Sequence, residues 1–179
     1  MSSLADAISF SEVITAREIA TIATLADEIW NAHYVPIIGQ SQVNYMLENF
    51  QSEVAISKQI NENSTYFFVN RHSLPVAYFA IKRTDDSRKV QISKLYVKHA
   101  LQKKGIGLAI IKFIETYCLR LGVAEIGLTV NINNKQAINF YQKVGFKKTH
   151  CLVQDIGNGF VMDDYVMSKL ILMNADKTT

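Results

Sequence analysis

The segment Gln102-Lys103-Lys104-Gly105-Ile106-Gly107 has the residue types that suit a phosphate group. It lies between a β-like run, Val90 to Val97, and a helix-like run, Leu108 to Leu121. Glycines let the backbone approach an anion closely, and the free N–H groups at a helix start point at it. The same two glycines equally allow tight packing of a strand on a helix. A second block follows: Asn134, Ala137, Phe140-Tyr141, then Gly145-Phe146. Asn134, near a helix start, could cap the helix or bind a ligand amide. One of Phe140 and Tyr141 should pack on the sheet, leaving the other to point along strand ends toward a ligand. The two blocks together suggest a pyrophosphate-bearing cofactor with a tyrosine beside its reactive end.

Two better-known phosphate motifs are excluded. The loop lacks the third glycine and the acidic residue of a dinucleotide fingerprint, and it lacks the Gly-Lys-Ser/Thr ending of a nucleotide P-loop. Arg88, Lys89, Lys94, Lys98, His99, Lys103 and Lys104 crowd the segment around it. They read either as a solvated basic hairpin or as attraction for a multiply charged phosphate, and the adjacent glycines favour the second. The net charge of +3 does not argue for nucleic acid. Cys118 and Cys151 match no metal spacing, and Cys118 falls within an apolar helical pattern as a reduced core thiol. No metal is expected. No apolar run approaches the roughly 18 residues of a membrane span. Met1 to Phe10 carries Asp6 and no basic flank, unlike a secretion signal. A cytoplasmic protein without membrane contact is the expectation.

The elements that must position these residues follow from pattern. The 179 residues, 49% of them hydrophobic, suit one domain, 1–179, with a core over about 8–172. Ile8 to Ile14 reads as a first strand. Thr15 and Glu18 form a capping box for a helix running to about Asn31. His33-Tyr34-Val35-Pro36 breaks it. Helices follow near Ser41 and Ser52. Thr65 to Val69 and Pro75 to Lys82 are strands about a turn at Asn70 to Ser73, and Thr84 to Ser87 is the next turn. Val90 to Val97 feeds the glycine loop. The following helix stops at Leu121-Gly122. Ile126 to Val130 is a strand, and Lys135 to Val144 a helix ending at Gly145. Lys147 to Val153 and Phe160 to Leu170 pair around Gly157-Asn158-Gly159, and the tail, Asn174 to Thr179, frays. Early hairpins followed by strand-helix alternation indicate an α/β (α+β) fold with a mixed sheet covered by helices.

On these residues the chain resembles the GNAT superfamily of acetyl-CoA-dependent N-acetyltransferases. Its hallmark Gln/Arg-x-x-Gly-x-Gly/Ala loop is matched by Gln102 to Gly107. The downstream Asn-x-x-Ala-x-x-Phe-Tyr-x-Lys-x-Gly-Phe block is matched by Asn134 through Phe146, Lys143 included. The resemblance covers about Ile8 to Leu172, and the earlier half is faintly similar to bacterial polyamine-type acetyltransferases. It implies a mostly antiparallel central sheet, helices on both faces, and splayed parallel strands for the cofactor. The pyrophosphate of coenzyme A would rest on Gln102, Lys103, Lys104, Gly105, Ile106 and Gly107. Its pantetheine arm would run along Leu95, Tyr96 and Val97 and along Thr129 to Asn131. Asn134 and Lys143 belong to the same cofactor set. Tyr141 matches the family's acid for the departing thiolate.

Many relatives place a glutamate base on the fourth strand. Here Gln91-Ile92-Ser93-Lys94 holds no carboxylate. His33, Tyr34, Asp155, the Asp163-Asp164 pair or a water chain remain as candidates, with Asp163-Asp164 read as an exposed turn. The acceptor site implied by the resemblance draws on His33, Tyr34, Ile37, Tyr45, Tyr78 and the Asp155 to Asp164 region. The implied reaction is direct attack of a primary amine, from a small molecule or peptide, on acetyl-CoA. The alternative is a domain of the same fold that senses acyl-CoA without turnover. A homodimer is an open alternative to a monomer.

Overall fold

The computed structural model describes residues 8–171, so most of Met1 to Phe10, read above as unlike a secretion signal, and the tail at 174–179 lie outside the described residues. The strands are β1 (Ile8–Glu12), β2 (Ser64–Arg71), β3 (Leu74–Arg83), β4 (Lys89–Val97), β5 (Glu125–Asn131), β6 (Lys147–Gly157) and β7 (Phe160–Leu170). The helices are α1 (Ala16–His33), α2 (Val35–Ile38), α3 (Gln40–Phe50), α4 (Glu53–Asn61), α5 (Ile106–Arg120) and α6 (Lys135–Lys143). The seven strands are hydrogen-bonded in the order β1-β2-β3-β4-β5-β7-β6. β4 and β5 run parallel, while β1–β2, β2–β3, β5–β7 and β6–β7 are antiparallel. The parallel ladder pairs Lys89–Ile92 with Glu125–Leu128 and ends there. β4 continues to Val97 and β5 to Asn131. This is the mixed, mostly antiparallel sheet expected from the sequence. No helix among the described residues is long and apolar enough to cross a membrane.

The chain gathers into two compact units. The first holds the chain up to Lys82 together with Lys94–Ile110. Its first helix starts where the sequence places it: Thr15 Oγ1 accepts from the Glu18 amide, and the Glu18 carboxylate accepts from the Ile14 and Thr15 amides. That exchange explains why β1 stops at Glu12 rather than Ile14, since the backbone there turns to serve the cap. Alternation in β2 and β3 sorts the aromatics. Phe67 stacks on Phe79 at 4.9 Å on one face, with Phe10 edge-on to Phe79 at 6.2 Å. Tyr66 and Tyr78 lie on the other, where their hydroxyls meet Gln59 of α4 at 2.6 Å and Gln51 at 3.1 Å. Ile22, Ile29 and Trp30 of α1, Val43 of α3 and Ile56 of α4 are all buried in the same unit. Each such side chain contributes about 1.5–3 kcal/mol.

The second unit holds Arg83–Ser93 and the chain from Ile111 onward. Its floor is Ile126, Leu128 and Met167, all buried. Lys169 lies on the same face and donates to Glu115 of α5 and to the Val144 carbonyl at the end of α6. Both helices therefore cover that face. Cys118 is buried in α5 as expected, and burial, aided by Glu115, pushes its thiol up to about 11. β6 is the edge strand, and every residue from Lys147 to Asp155 is exposed on it. Irregularities at Lys148/His150 and Asp155/Gly157 flank its regular stretch.

Candidate active site

In the first unit the end of β4 is fixed by the Lys98 amide, which donates to the Val76 carbonyl at 3.0 Å. A single 3₁₀ turn, His99–Leu101, follows. Gln102 is extended and its side-chain amide reaches back to the Val97 carbonyl at 3.4 Å. Lys103 and Gly105 then take left-handed conformations, φ +60° and +83°. These two reversals aim the chain into α5, anchored by the buried Ile106. The Ala109 amide bonds the Gly105 carbonyl at 3.0 Å. The Ile106, Gly107 and Leu108 amides precede it in the first turn, where no intrahelical acceptor exists. Nothing lies within 4 Å of a Cβ built on Gly105. The loop thus presents amides and the positive end of a helix dipole beside open space, a geometry that suits an anion.

The lysines are less concentrated here than their spacing in sequence implies. Lys89 pairs with Glu125 at 3.1 Å, and Lys98 with Glu28 at 2.8 Å. Lys94 is buried, donating from Nζ to the Phe50 carbonyl at 3.2 Å. Burial lowers its pKa to about 8. Lys103 and Lys104 stay exposed on the loop. The basic segment is therefore not one phosphate-facing patch, because strand alternation and pairing disperse it.

Leu95, Tyr96 and Val97 are half-buried at the end of β4. The Tyr96 ring is the hub of an aromatic cluster: Trp30 at 5.3 Å, Tyr34 at 5.9 Å and Tyr78 at 5.2 Å. Tyr34 caps the C-terminus of α1 and stacks on Trp30 at 4.4 Å. His33 lies edge-on to Tyr34 at 4.8 Å and faces His99 at 6.4 Å. Burial, then the neighbouring His99, lowers the His33 pKa and so favours its neutral imidazole. The structure thus brings His33, Tyr34 and Tyr78 together about Tyr96. Tyr78 is wholly buried, and burial holds its phenol far above the usual range. Tyr45 stands on α3, edge-on to Phe50 at 6.2 Å.

In the second unit Asn134 caps α6, its Oδ1 accepting from the Ala137 amide at 3.2 Å. Tyr141 is buried on α6, edge-on to Phe146 at 5.7 Å and tilted against Phe140 at 5.3 Å. Burial raises its phenol well above the ordinary tyrosine range, so it keeps its proton at any physiological pH. Lys143 ends the helix and is exposed. Asp155 is exposed on β6 and accepts from the Gly157 amide at 2.8 Å.

Asp163 and Asp164 do not form an exposed turn; both lie on β7, and Asp164 is buried. Adjacent strand residues face opposite sides, so one member of such a pair must turn toward whatever covers the sheet. Residue type gives no signal for the burial of Asp164, Lys94 and Gln51, because these residues are polar. The period-2 pattern of β7, with Asp164 between Met162 and Val166, is the signal that could have found the carboxylate.

Residues 24–146 match the family model described as the acetyltransferase (GNAT) family. An uncharacterized N-acetyltransferase of Mycobacterium bovis is 23% identical over 112 residues, which are 63% of this chain and 72% of the relative. The crystal structure of PaiA N-acetyltransferase from Thermoplasma acidophilum, in complex with coenzyme A, superposes with a TM-score of 0.74 at 21% identity. The match covers 92% of this chain and 99% of that one. The ribosomal-protein-S18-alanine N-acetyltransferase from Escherichia coli superposes with a TM-score of 0.70 at 17% identity, over 97% and 99% of the two chains. At these identities the structures share the fold. With more than half of its length matched by the family model, the chain belongs to the GNAT family and is an N-acetyltransferase.

Proposed function

We propose that the protein transfers acetyl from acetyl-CoA to a primary amine of a small molecule or peptide by direct attack. The observation that carries the reading is the loop from Gln102 to Gly107, whose left-handed Lys103 and Gly105 set first-turn helix amides, which lack an intrahelical acceptor, beside open space. In this reading the pyrophosphate lies on those amides, with Lys103 and Lys104 adding charge. The pantetheine follows Leu95, Tyr96 and Val97 as an added strand. Asn134 and Lys143 complete the cofactor set. As the new N–C bond forms and the C–S bond breaks, the buried Tyr141 phenol donates to the departing sulfur. His33, Tyr34 and Tyr45 form the acceptor side, where aromatic faces suit a cationic amine, and the buried Tyr78 backs Tyr96.

The absence of a carboxylate at Gln91-Ile92-Ser93-Lys94 favours a second reading, an acyl-CoA sensor without turnover. The two are separated by incubating the protein and acetyl-CoA with a panel of primary amines, reading free thiol and product mass. Amine-dependent thiol release with acetylated product is expected. Coenzyme A binding with no release from any amine supports the sensor, and no binding overturns both readings.

Gly105→Val tests the loop itself. A β-branched residue at φ +83° is strained, by about 1–2 kcal/mol or more, and relief requires the loop to move. Calorimetry should show coenzyme A affinity falling by at least about tenfold, with the melting transition still cooperative. Unchanged affinity would place the pyrophosphate elsewhere.

A further inference from the structure

Asp164 stands in the middle of β7, opposite Asn131 of β5 and Leu152 of β6. It lies on the face of Met162 and Val166, the reverse of the one that carries Lys169, α5 and α6. It is 5% exposed, and its Oδ1 is sealed from solvent with no hydrogen-bond partner among the described residues. No lysine, arginine or histidine among the described residues forms an ion pair with it. The groups that face or flank it are the Thr129 hydroxyl of β5, which donates to it, and Asp163, which carries the same charge. His150 of β6 is the titratable side chain nearest in register on that face, paired with Val166.

A buried carboxylate with an orphaned oxygen is unfavourable unless a cation or donor arrives. Its position suits a ligand. Asn131 is the last residue of β5, and the Ile132 amide donates to the Asp163 carbonyl at 3.0 Å. From there the chain turns through Asn133, whose amide bonds Asn131 Oδ1 at 2.9 Å, into the helix that carries Tyr141. Ligands of open α/β sheets gather at the carboxyl ends of such strands.

We propose that Asp164 is the carboxylate that receives the acceptor's ammonium group and takes up the proton that must leave before nitrogen can attack. The assignment rests on the amine-acetylation reading above. Burial, then the Asp163 charge, raises the Asp164 pKa to about 6, with the Thr129 hydrogen bond opposing. The group is thus ionised near pH 7 yet more basic than an ordinary aspartate. The protons balance: the ammonium gives one to Asp164, the free electron pair forms the N–C bond, and the C–S pair leaves on sulfur. The second proton lost by nitrogen equals the one gained by sulfur, so one proton per turnover passes from Asp164 to solvent.

The test is Asp164→Asn, which keeps shape and removes charge, assayed by thiol release with n-butylamine, 1,4-diaminobutane and a lysyl peptide. At pH 7, kcat/KM for these amines should fall by about 100-fold or more, with acetyl-CoA affinity by calorimetry unchanged. The deficit should shrink as pH approaches the amine's own pKa, about 10, where the amine sheds its proton unaided. Wild-type kcat/KM in the variant, or a deficit independent of pH, overturns the assignment. The wild-type pH profile is a check that does not depend on the variant folding: kcat/KM should fall as pH drops through about 6, and a flat profile there overturns the assignment as well. The two levels fail differently. A wild type that binds acetyl-CoA but acetylates none of these amines overturns the amine-acetylation reading, whereas a variant that keeps pace with an active wild type overturns only the role of Asp164.

Discussion

Tyr141→Phe should lower turnover by about 100- to 1,000-fold and leave acetyl-CoA affinity nearly unchanged. The ring lies buried against Phe140 and Phe146, so phenylalanine fills the same space and only the hydroxyl is lost. In the proposed reaction that hydroxyl matters when charge develops on sulfur, which makes the loss a kcat effect rather than a binding effect. The raised pKa fits the role of donor, because the phenol never competes as an anion. Steady-state thiol release, with binding measured separately by calorimetry, checks the prediction. Undiminished turnover at the optimal pH would remove Tyr141 as the donor to sulfur.

Lys94→Met should raise stability near pH 7 by about 2–3 kcal/mol. The ammonium is buried, with no carboxylate among its described partners, and burial lowers its pKa from 10.5 to about 8. The Phe50 carbonyl that it serves also accepts from Gln59 Nε2 at 3.1 Å, so methionine does not orphan that oxygen. The pH dependence has a definite sign. Below pH 8 both folded and unfolded chains carry the charge, and the folded state bears the full desolvation penalty. Between about 8 and 10.5 the unfolded chain binds more protons, so wild-type stability rises with pH relative to the variant. Urea unfolding at pH 7 and at about pH 9.5 reads both effects. A variant less stable than wild type at pH 7 would show that the Phe50 contact outweighs the buried charge.

Most of the fold was legible because its signals are local. The Thr15–Glu18 box, the β2–β3 hairpin and the glycine loop each act within a few residues, and each stands where the pattern places it. The helical turn Val35–Ile38 was not foreseen, since proline was read as a break. Pro36 is tolerated because the first turn needs no donor, and Gly39 at φ +83° ends the helix. β6 runs on to Gly157, beyond Val153, because backbone pairing with β7 carries the polar Gln154 and Asp155 along an exposed edge. Within the candidate site, the loop and Tyr141 announced themselves through spacing. The burial of Lys94 and Asp164 depends on which strand face is covered, and residue type alone misdirects there.

The β6 edge has a consequence for the protein in concentrated solution. A strand at the end of a sheet offers unpaired backbone groups to any extended segment, and this one is exposed from Lys147 to Asp155, Val153 at 67%. Its two irregularities confine the regular template to His150–Asp155. A foreign strand finds only that short row to zip onto, with a kink at either side. Self-association along β6 is therefore discouraged by backbone shape, even though Cys151, Leu152 and Val153 offer little charge to repel it.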